Sequence, residues 1–552
     1  MSTPVHPHRP ARGGVRLWLA LLVAAAVAGL LFACGGGGGG GGGSSDAADR
    51  LPPGPTEPVQ GLPAGPTEAT LTLALDAPGE PVNPAILGSN VQWVDRGDGL
   101  LDAQGRLRED MLQAVRAMGV RSLRYPGGAL ADAYRWERGM GPLASRGLNR
   151  HVHSHTEQRT LMGTQEFLEL CEAVGAAPLI TVNIATGTPE EAAAWVRQVN
   201  VTGLTSRRTG QPLPAVRDWE LGNEPHLKID GEPTLWTRPE VFAQRVRAFA
   251  QAMRAADPDI RLILPLSLNT RNGFPVTAYQ DVDFIDTVLA GGAPDVDAIS
   301  LHNAYAPFGM EARHSEQALY WGGMAGARAF AADVAEVRRR LAPTWPGRSM
   351  PLAITEHGPL FTLGRGDSDA LIRSPAGAVV LADLLRVFAQ TPDVVAAHHW
   401  SLSGNWHFGA LRDDATARPA AQVMALFAQA WQGRQMGASV TAPQVATASV
   451  GGSAPVADLP LLEALGSQDG DVARVWLVHK HPSQPMRVSV GALPAGWRAV
   501  RLHTLHADDL FDRREVPALL RAEITELAAP TESVALPPAS IGLLVLQREA
   551  TP

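Results

Sequence analysis

The sequence predicts an α/β protein: a (β/α)8 TIM barrel followed by an antiparallel β-sandwich. Three observations carry this. Between residues 82 and 435, short apolar runs alternate with stretches of helical periodicity, the pattern of βα units on a parallel sheet. Eight such runs can be counted, at 86–94, 122–125, 178–184, 218–222, 262–267, 296–302, 352–356 and 394–401. Eight units close naturally into a barrel rather than a doubly wound open sheet. Beyond residue 436 the helical periodicity fades and strand-like runs set off by Pro and Gly take over.

Taken in order, residues 1–34 have the composition of an export segment. His6, His8, Arg9, Arg12 and Arg16 form a basic start, and 17–33 is an unbroken apolar run. It ends in Leu31-Phe32-Ala33-Cys34, which resembles a bacterial lipobox. That resemblance implies cleavage before Cys34, lipid on its thiol, and a membrane-anchored protein of the cell envelope. With Gly35 next in the chain, the outer membrane is favoured. An uncleaved membrane helix is the alternative, although 17 apolar residues are short for one. Residues 35–68 are a Gly- and Pro-rich tether with a coil-like reach on the order of 30 Å. The alternating stretch in 69–81 has no helical partner and is expected to join the sandwich.

Within the barrel, helices are predicted over 108–118, 164–174, 190–199, 239–255, 317–340 and 375–389. Thr188-Pro189-Glu190-Glu191 has the order of a helix start: a capping hydroxyl, Pro first, then acids in the first turn. The sandwich, 436–552, is expected to hold strands at 475–478, 486–490, 498–504 and 540–546.

Composition narrows the function classes. The net charge of -8 offers no basic surface for nucleic acid. Two cysteines, Cys34 and Cys171, exclude a disulfide framework, and Cys171 lies in the apolar stripe of a predicted helix. No metal-ligand spacing or cofactor fingerprint accompanies the acidic residues. His151, His153 and His155 alternate and could share one face. Without an acidic partner they fit the rim of a site better than a zinc ion.

Catalytic groups of a TIM barrel sit at the C-terminal ends of its strands. The fourth run ends Trp219-Glu220-Leu221-Gly222-Asn223-Glu224-Pro225, and the seventh ends Ala353-Ile354-Thr355-Glu356-His357-Gly358. Two carboxylates thus face one mouth. Glycoside hydrolysis needs such a pair, one protonated to assist the leaving group and one ionised. A non-catalytic carbohydrate-binding lipoprotein would lack one of the two, and both are present. The substrate expected is an oligo- or polysaccharide.

Arg124-Tyr125-Pro126-Gly127-Gly128, then Ala131-Asp132-Ala133-Tyr134-Arg135-Trp136 and Gly139-Met140-Gly141-Pro142, resemble the second-strand block of the α-L-arabinofuranosidases of glycoside hydrolase family 51. The segments 163–170, 181–192 and 220–224 are similar to the blocks that follow. The resemblance covers about residues 82–430 and implies a clan A retaining mechanism. It implies Glu224 as acid/base, Glu356 as nucleophile, Asn223 on the sugar 2-OH, and Asn183 among the substrate contacts. Arg124 would lie beside the nucleophile, where a fixed cation keeps Glu356 ionised. His302 ends the sixth run as in the family. The tyrosine expected two residues later is replaced by Ala304, with Tyr305 following. Gln92 stands where the family has a Glu that grips the furanose, and Ala129 where it has Asn or Cys. Pro225 and the Thr-Glu-His-Gly context of Glu356 are more similar to the β-glucuronidase and heparanase relatives of the clan, which makes a glucuronide the rival substrate. Trp400, at the end of the eighth run, could stack on a sugar face. Trp406 and His407 follow it.

Overall fold

The computed structural model describes residues 57–77, 79–226, 238–266, 284–302, 314–359, 371–450, 453–514, 520–528 and 531–549. Cys34 and Tyr305 lie outside them. Among the described residues no helix is long and apolar enough to cross a membrane.

Eight parallel strands close into a barrel in chain order: Gly88–Asn90, Ser122–Tyr125, Ala177–Thr181, Asp218–Glu220, Arg261–Pro265, Ala298–Ser300, Leu352–His357 and Val394–His399. Closure is made by the eighth strand on the first, with His398 opposite Gly88 and His399 opposite Ser89. Six strands are shorter than their apolar runs, the first and the sixth most clearly. The first stops at Asn90, yet Val91, Trp93 and Val94 beyond it are buried. The sixth stops at Ser300, with Leu301 buried after it. Burial extends past the ladder there, so apolarity alone overstates strand length.

Helices lie between the strands. Glu109–Met118 packs Met111, Leu112, Val115 and Met118 inward at helical spacing. Pro189–Val196 is capped by Thr188, whose hydroxyl accepts from the Glu191 N–H at 3.2 Å. It then widens into a π-helical turn, Arg197–Thr202, before Gly203 ends it. Pro375–Gln390 has almost every residue buried, because it lies between the barrel and the C-terminal sheets. Trp476 donates from its indole to Ala382 O at 3.1 Å across that contact.

The C-terminal region stacks two sheets. The larger runs Arg434–Met436, Leu462–Asp469, Val472–His479, Ile541–Arg548, Trp497–His506 and Arg521–Glu526, all antiparallel. The smaller runs Ala438–Thr441, Thr67–Leu73, Met486–Val490 and Ser533–Leu536. Thr67–Leu73 pairs antiparallel with Ala438–Thr441 but parallel with Met486–Val490. The sandwich is therefore antiparallel except at this pair. The N-terminal strand precedes the whole barrel, so no tight turn dictates its direction.

Candidate active site

Strand alternation builds the site in layers. Leu179 and Thr181, like Ala353 and Thr355, are two residues apart and share an inward face. Leu179, Ile263, Ala298 and Ala353 form a separate small apolar cluster, the floor of the lumen. One step toward the mouth, Thr181 and Thr355 both donate to Glu220, at 2.7 and 2.8 Å.

Arg124 occupies the centre of that polar layer and is wholly buried. Its Nε donates to Glu220 at 2.7 Å and its Nη2 to Asn223 Oδ1 at 2.8 Å. Its Nη1 donates to Asn90 Oδ1 at 2.9 Å and to Glu356 at 2.8 Å. One guanidinium thus ties together strands one, two, four and seven. Burial disfavours the charge on Glu220, yet the Arg124 cation brings its carboxyl down to about 2.

Glu224 leaves strand four on a strained turn. Its φ is +39°, a region costly for a non-glycine residue. Gly222 before it has φ +97°, and a Cβ there would lie 2.2 Å from Ile184 Cγ2, so only glycine fits. Asn223 is fixed from two sides, by Arg124 on its amide and by Asp132, which accepts its N–H.

The two carboxylates face one another across His302. Its Nδ1 lies 3.0 Å from Glu224 Oε1 and 3.8 Å from Glu356 Oε2. Oxygens of the two glutamates lie within 4.8 Å of one another and of a His302 nitrogen. The Glu224 side chain is 25% exposed and that of Glu356 6%, so the first opens to the mouth and the second is enclosed. Burial drives both toward the neutral form. At Glu224 the His302 hydrogen bond overcomes it and holds the carboxyl low. At Glu356 burial prevails over His302 and Arg124 and pushes it up, which corrects the expectation that the Arg124 cation by itself keeps Glu356 ionised: Arg124 opposes the rise without cancelling it. Burial lowers His302, but Glu356 and Glu224 outweigh it and raise it. Glu224 and His302 share one proton, and their hydrogen bond favours its nitrogen side.

A divalent ion is poorly served here. Both His302 nitrogens already have partners, and the Arg124 cation lies 2.8 Å from Glu356. The arrangement suits proton transfer and carbon–oxygen chemistry. Retaining glycoside hydrolysis uses two carboxyls about 5–5.5 Å apart, whereas inversion needs about 6.5–9.5 Å to admit a water. A spacing within 4.8 Å falls on the retaining side.

The other expected residues divide. Gln92 is buried at the mouth, and a Cβ on Gly127 would lie 2.9 Å from its Cγ. Trp400 packs over Gly128, where a Cβ would lie 2.6 Å from Trp400 Cη2. Only 6% of Trp400 is exposed, which makes it chiefly a wall of the site. Ala129 follows on the turn Gly128–Ala133 and is partly buried. Asn183 is corrected: its Oδ1 accepts from the Thr186 and Gly187 N–H groups, and its Nδ2 donates to Tyr134 O and Thr186 Oγ1. Its amide is spent on the turn after strand three and on Tyr134 O, with no polar atom left for a sugar. Arg124 is likewise committed to protein groups rather than substrate. Burial keeps His153 neutral at about 4, although the charge of Glu224 acts against it. His226 behaves in the same way, at about 4.

Sequence reasoning missed Glu220, Thr355, Thr181, Asn90 and Asp132. A usable signal existed for the first three: a charge or hydroxyl on the inward face of a barrel strand needs a partner on the same layer.

A closed parallel barrel with facing glutamates at the ends of strands four and seven has the layout of barrel glycosidases that act by double displacement. Comparison with known proteins agrees in kind. Residues 114–290 match the family model of the alpha-L-arabinofuranosidase 1 domain. The chain is 35% identical over 176 residues to alpha-L-arabinofuranosidase C of Emericella nidulans, covering 31% of this chain and 34% of that protein. It is 32% identical over 244 residues to an intracellular exo-alpha-(1->5)-L-arabinofuranosidase of Streptomyces lividans, covering 41% and 35%. It thus spans less than half the length of the curated relatives it matches. The fold is that of the alpha-L-arabinofuranosidase of Thermotoga maritima in its arabinose complex. The TM-score is 0.71 at 21% identity, covering 87% of this chain and all of the other.

Proposed function

We propose that the protein is a retaining glycoside hydrolase that removes terminal α-L-arabinofuranosyl groups from oligo- or polysaccharides. The observation that carries the mechanism is the pair Glu224 and Glu356, with oxygens within 4.8 Å, one held by His302 and the other by Arg124. The sugar rests on the similarity of residues 114–290 to arabinofuranosidase domains. It gains support from Arg124, whose commitment to Glu220, Asn90, Glu356 and Asn223 leaves it unable to receive a uronate carboxylate.

In the first displacement Glu356 attacks the anomeric carbon as its bond to the leaving oxygen breaks. Glu224 gives that oxygen its proton, and a glycosyl ester forms on Glu356. In the second, Glu224 takes a proton from water as the hydroxyl oxygen attacks the same carbon. Glu356 leaves as carboxylate, and the configuration is retained overall. Asn223 presents its Nδ2 toward the sugar 2-OH while Arg124 fixes its Oδ1. A panel of 4-nitrophenyl glycosides tests the substrate: turnover of the α-L-arabinofuranoside is expected. Turnover of the β-D-glucuronide or a pyranoside without it contradicts the choice of sugar but leaves the two-glutamate mechanism standing.

The same reading places the enzyme on a tether. The lipobox at 31–34 and the glycines that follow support lipid attachment at Cys34 and an outer-membrane location. Cys34→Ala should release the protein from membranes or stall its processing. Unchanged membrane association and size would count against the anchor.

A further inference from the structure

The proton that Glu224 must deliver is held by a chain of hydrogen bonds reaching back to strand four. Glu220 has its carboxyl oxygens on Arg124, Thr181 and Thr355, and it is ionised. An ionised carboxylate only accepts. The single hydroxyl proton of Thr355 is therefore donated to Glu220, at 2.8 Å. Thr355 Oγ1 also lies 2.9 Å from His302 Nε2. Having no proton left, it must accept there, and His302 must carry a proton on Nε2. In the neutral ring Nδ1 is then bare. Nδ1 sits 3.0 Å from Glu224 Oε1, and that hydrogen bond needs one proton between two atoms.

We propose that Thr355 is a positioning residue for acid catalysis: by fixing the Nε2–H tautomer of His302, it makes Nδ1 the partner of one proton shared with Glu224. This rests on Glu224 being the acid/base. When the leaving oxygen takes the shared proton, Glu224 becomes a carboxylate and His302 stays neutral with its Nε2–H. When water is deprotonated in the second step, the same position is refilled. Were the opposite tautomer available, Nδ1–H would donate to an ionised Glu224 and stabilise the form that cannot act as acid. His302 is faced by Glu224, Glu356, Glu220, Arg124, His226 and His398. Burial keeps His226 neutral at about 4 and His398 at about 3. The other charges are fixed to protein partners, which leaves Glu224, His302 and Glu356 to exchange protons.

The test labels the histidine rings with ¹⁵N and assigns His302 by the loss of its signals in His302→Gln. With rising pH the wild type should lose the Nδ1 proton first and settle as the Nε2–H form. Thr355→Val, which cannot accept from Nε2, should shift His302 toward Nδ1–H, and Thr355→Ser should restore the wild-type pattern. In parallel, the basic limb of kcat/KM on a poor leaving group should move down by about one pH unit in Thr355→Val and stay in place in Thr355→Ser. A wild-type Nδ1–H tautomer overturns the proposal, as does a Thr355→Val enzyme with wild-type tautomer and pH profile. The wild-type spectrum decides the tautomer even if Thr355→Val fails to fold. It is also independent of substrate, so absence of any glycosidase activity would strike the functional reading alone.

Discussion

Two of the buried ion clusters among the described residues are built differently. At the barrel mouth, Arg124 gathers Glu220 and Glu356, with His302 and the half-open Glu224 above them. At the junction of barrel and sandwich, Asp383 on the helix Pro375–Gln390 meets Lys480 Nζ at 2.8 Å and Arg386 Nε at 2.6 Å. Lys480 and Asp383 are fully enclosed, and the contact is an ion pair rather than an aligned hydrogen bond. Tyr320 adds a bond from its hydroxyl to Lys480 O at 2.8 Å. The junction pairs its carboxylates with permanent cations and has no opening, which suits a lock between two layers. The mouth includes an imidazole whose charge can change and a carboxyl that reaches solvent. Burial with fixed charges gives rigidity, and burial with one mobile proton gives chemistry.

That contrast can be broken by substitution. The largest effect is expected from Glu356→Ala, which removes the nucleophile and should cost on the order of 10⁴-fold or more in kcat/KM. Added azide should then yield a glycosyl azide of inverted configuration, identifiable by NMR. Glu224→Ala should cost about 10²–10⁴-fold on poor leaving groups but far less on a dinitrophenyl glycoside, which needs little protonation. Azide should give a product of retained configuration. Equal losses on both substrates would contradict the assignment of the acid.

At the junction, Lys480→Met leaves Asp383 short of a cation, and breaking a buried pair costs about 3–5 kcal/mol. Denaturant unfolding should show that loss while kcat/KM at low temperature stays near wild type. A variant that loses activity without losing stability would mean the junction is not merely a lock.

Both clusters also predict an acid limit. Glu220 and Asp383 have folded-state carboxyls near 2, below their ordinary values. Such groups add stability in full above about pH 5, and it is lost progressively as pH falls toward 2. Thermal melts across that window should decline, and Asp383→Asn should flatten part of the decline. The smallest effect concerns the grip on the sugar. Gln92→Glu should raise arabinofuranoside turnover a few-fold, since a charged acceptor bonds sugar hydroxyls more strongly (about twice the neutral strength).

Much of this was legible in the residues. The eight apolar runs mark the eight strands, and the glutamates at the ends of runs four and seven do face one mouth. What was not legible is how side chains spend their hydrogen bonds. Asn183 carries the residue type of a sugar contact, yet three of its bonds close a turn and the fourth goes to Tyr134 O. Glu220 and Thr355 stand beside the prominent residues in sequence, and only the barrel's closure brings them onto one layer with Arg124. The parallel pairing of Thr67–Leu73 depends on strands more than four hundred residues apart, beyond any local pattern.

The central claim is double displacement through two closely spaced carboxyls. Hydrolysis of 4-nitrophenyl α-L-arabinofuranoside in the presence of methanol tests it most directly, with the methyl glycoside followed by ¹H NMR. The account predicts methyl α-L-arabinofuranoside, the retained anomer, formed from a glycosyl ester on Glu356. Methyl β-L-arabinofuranoside as the initial product, from an enzyme that does turn over the substrate, would contradict it.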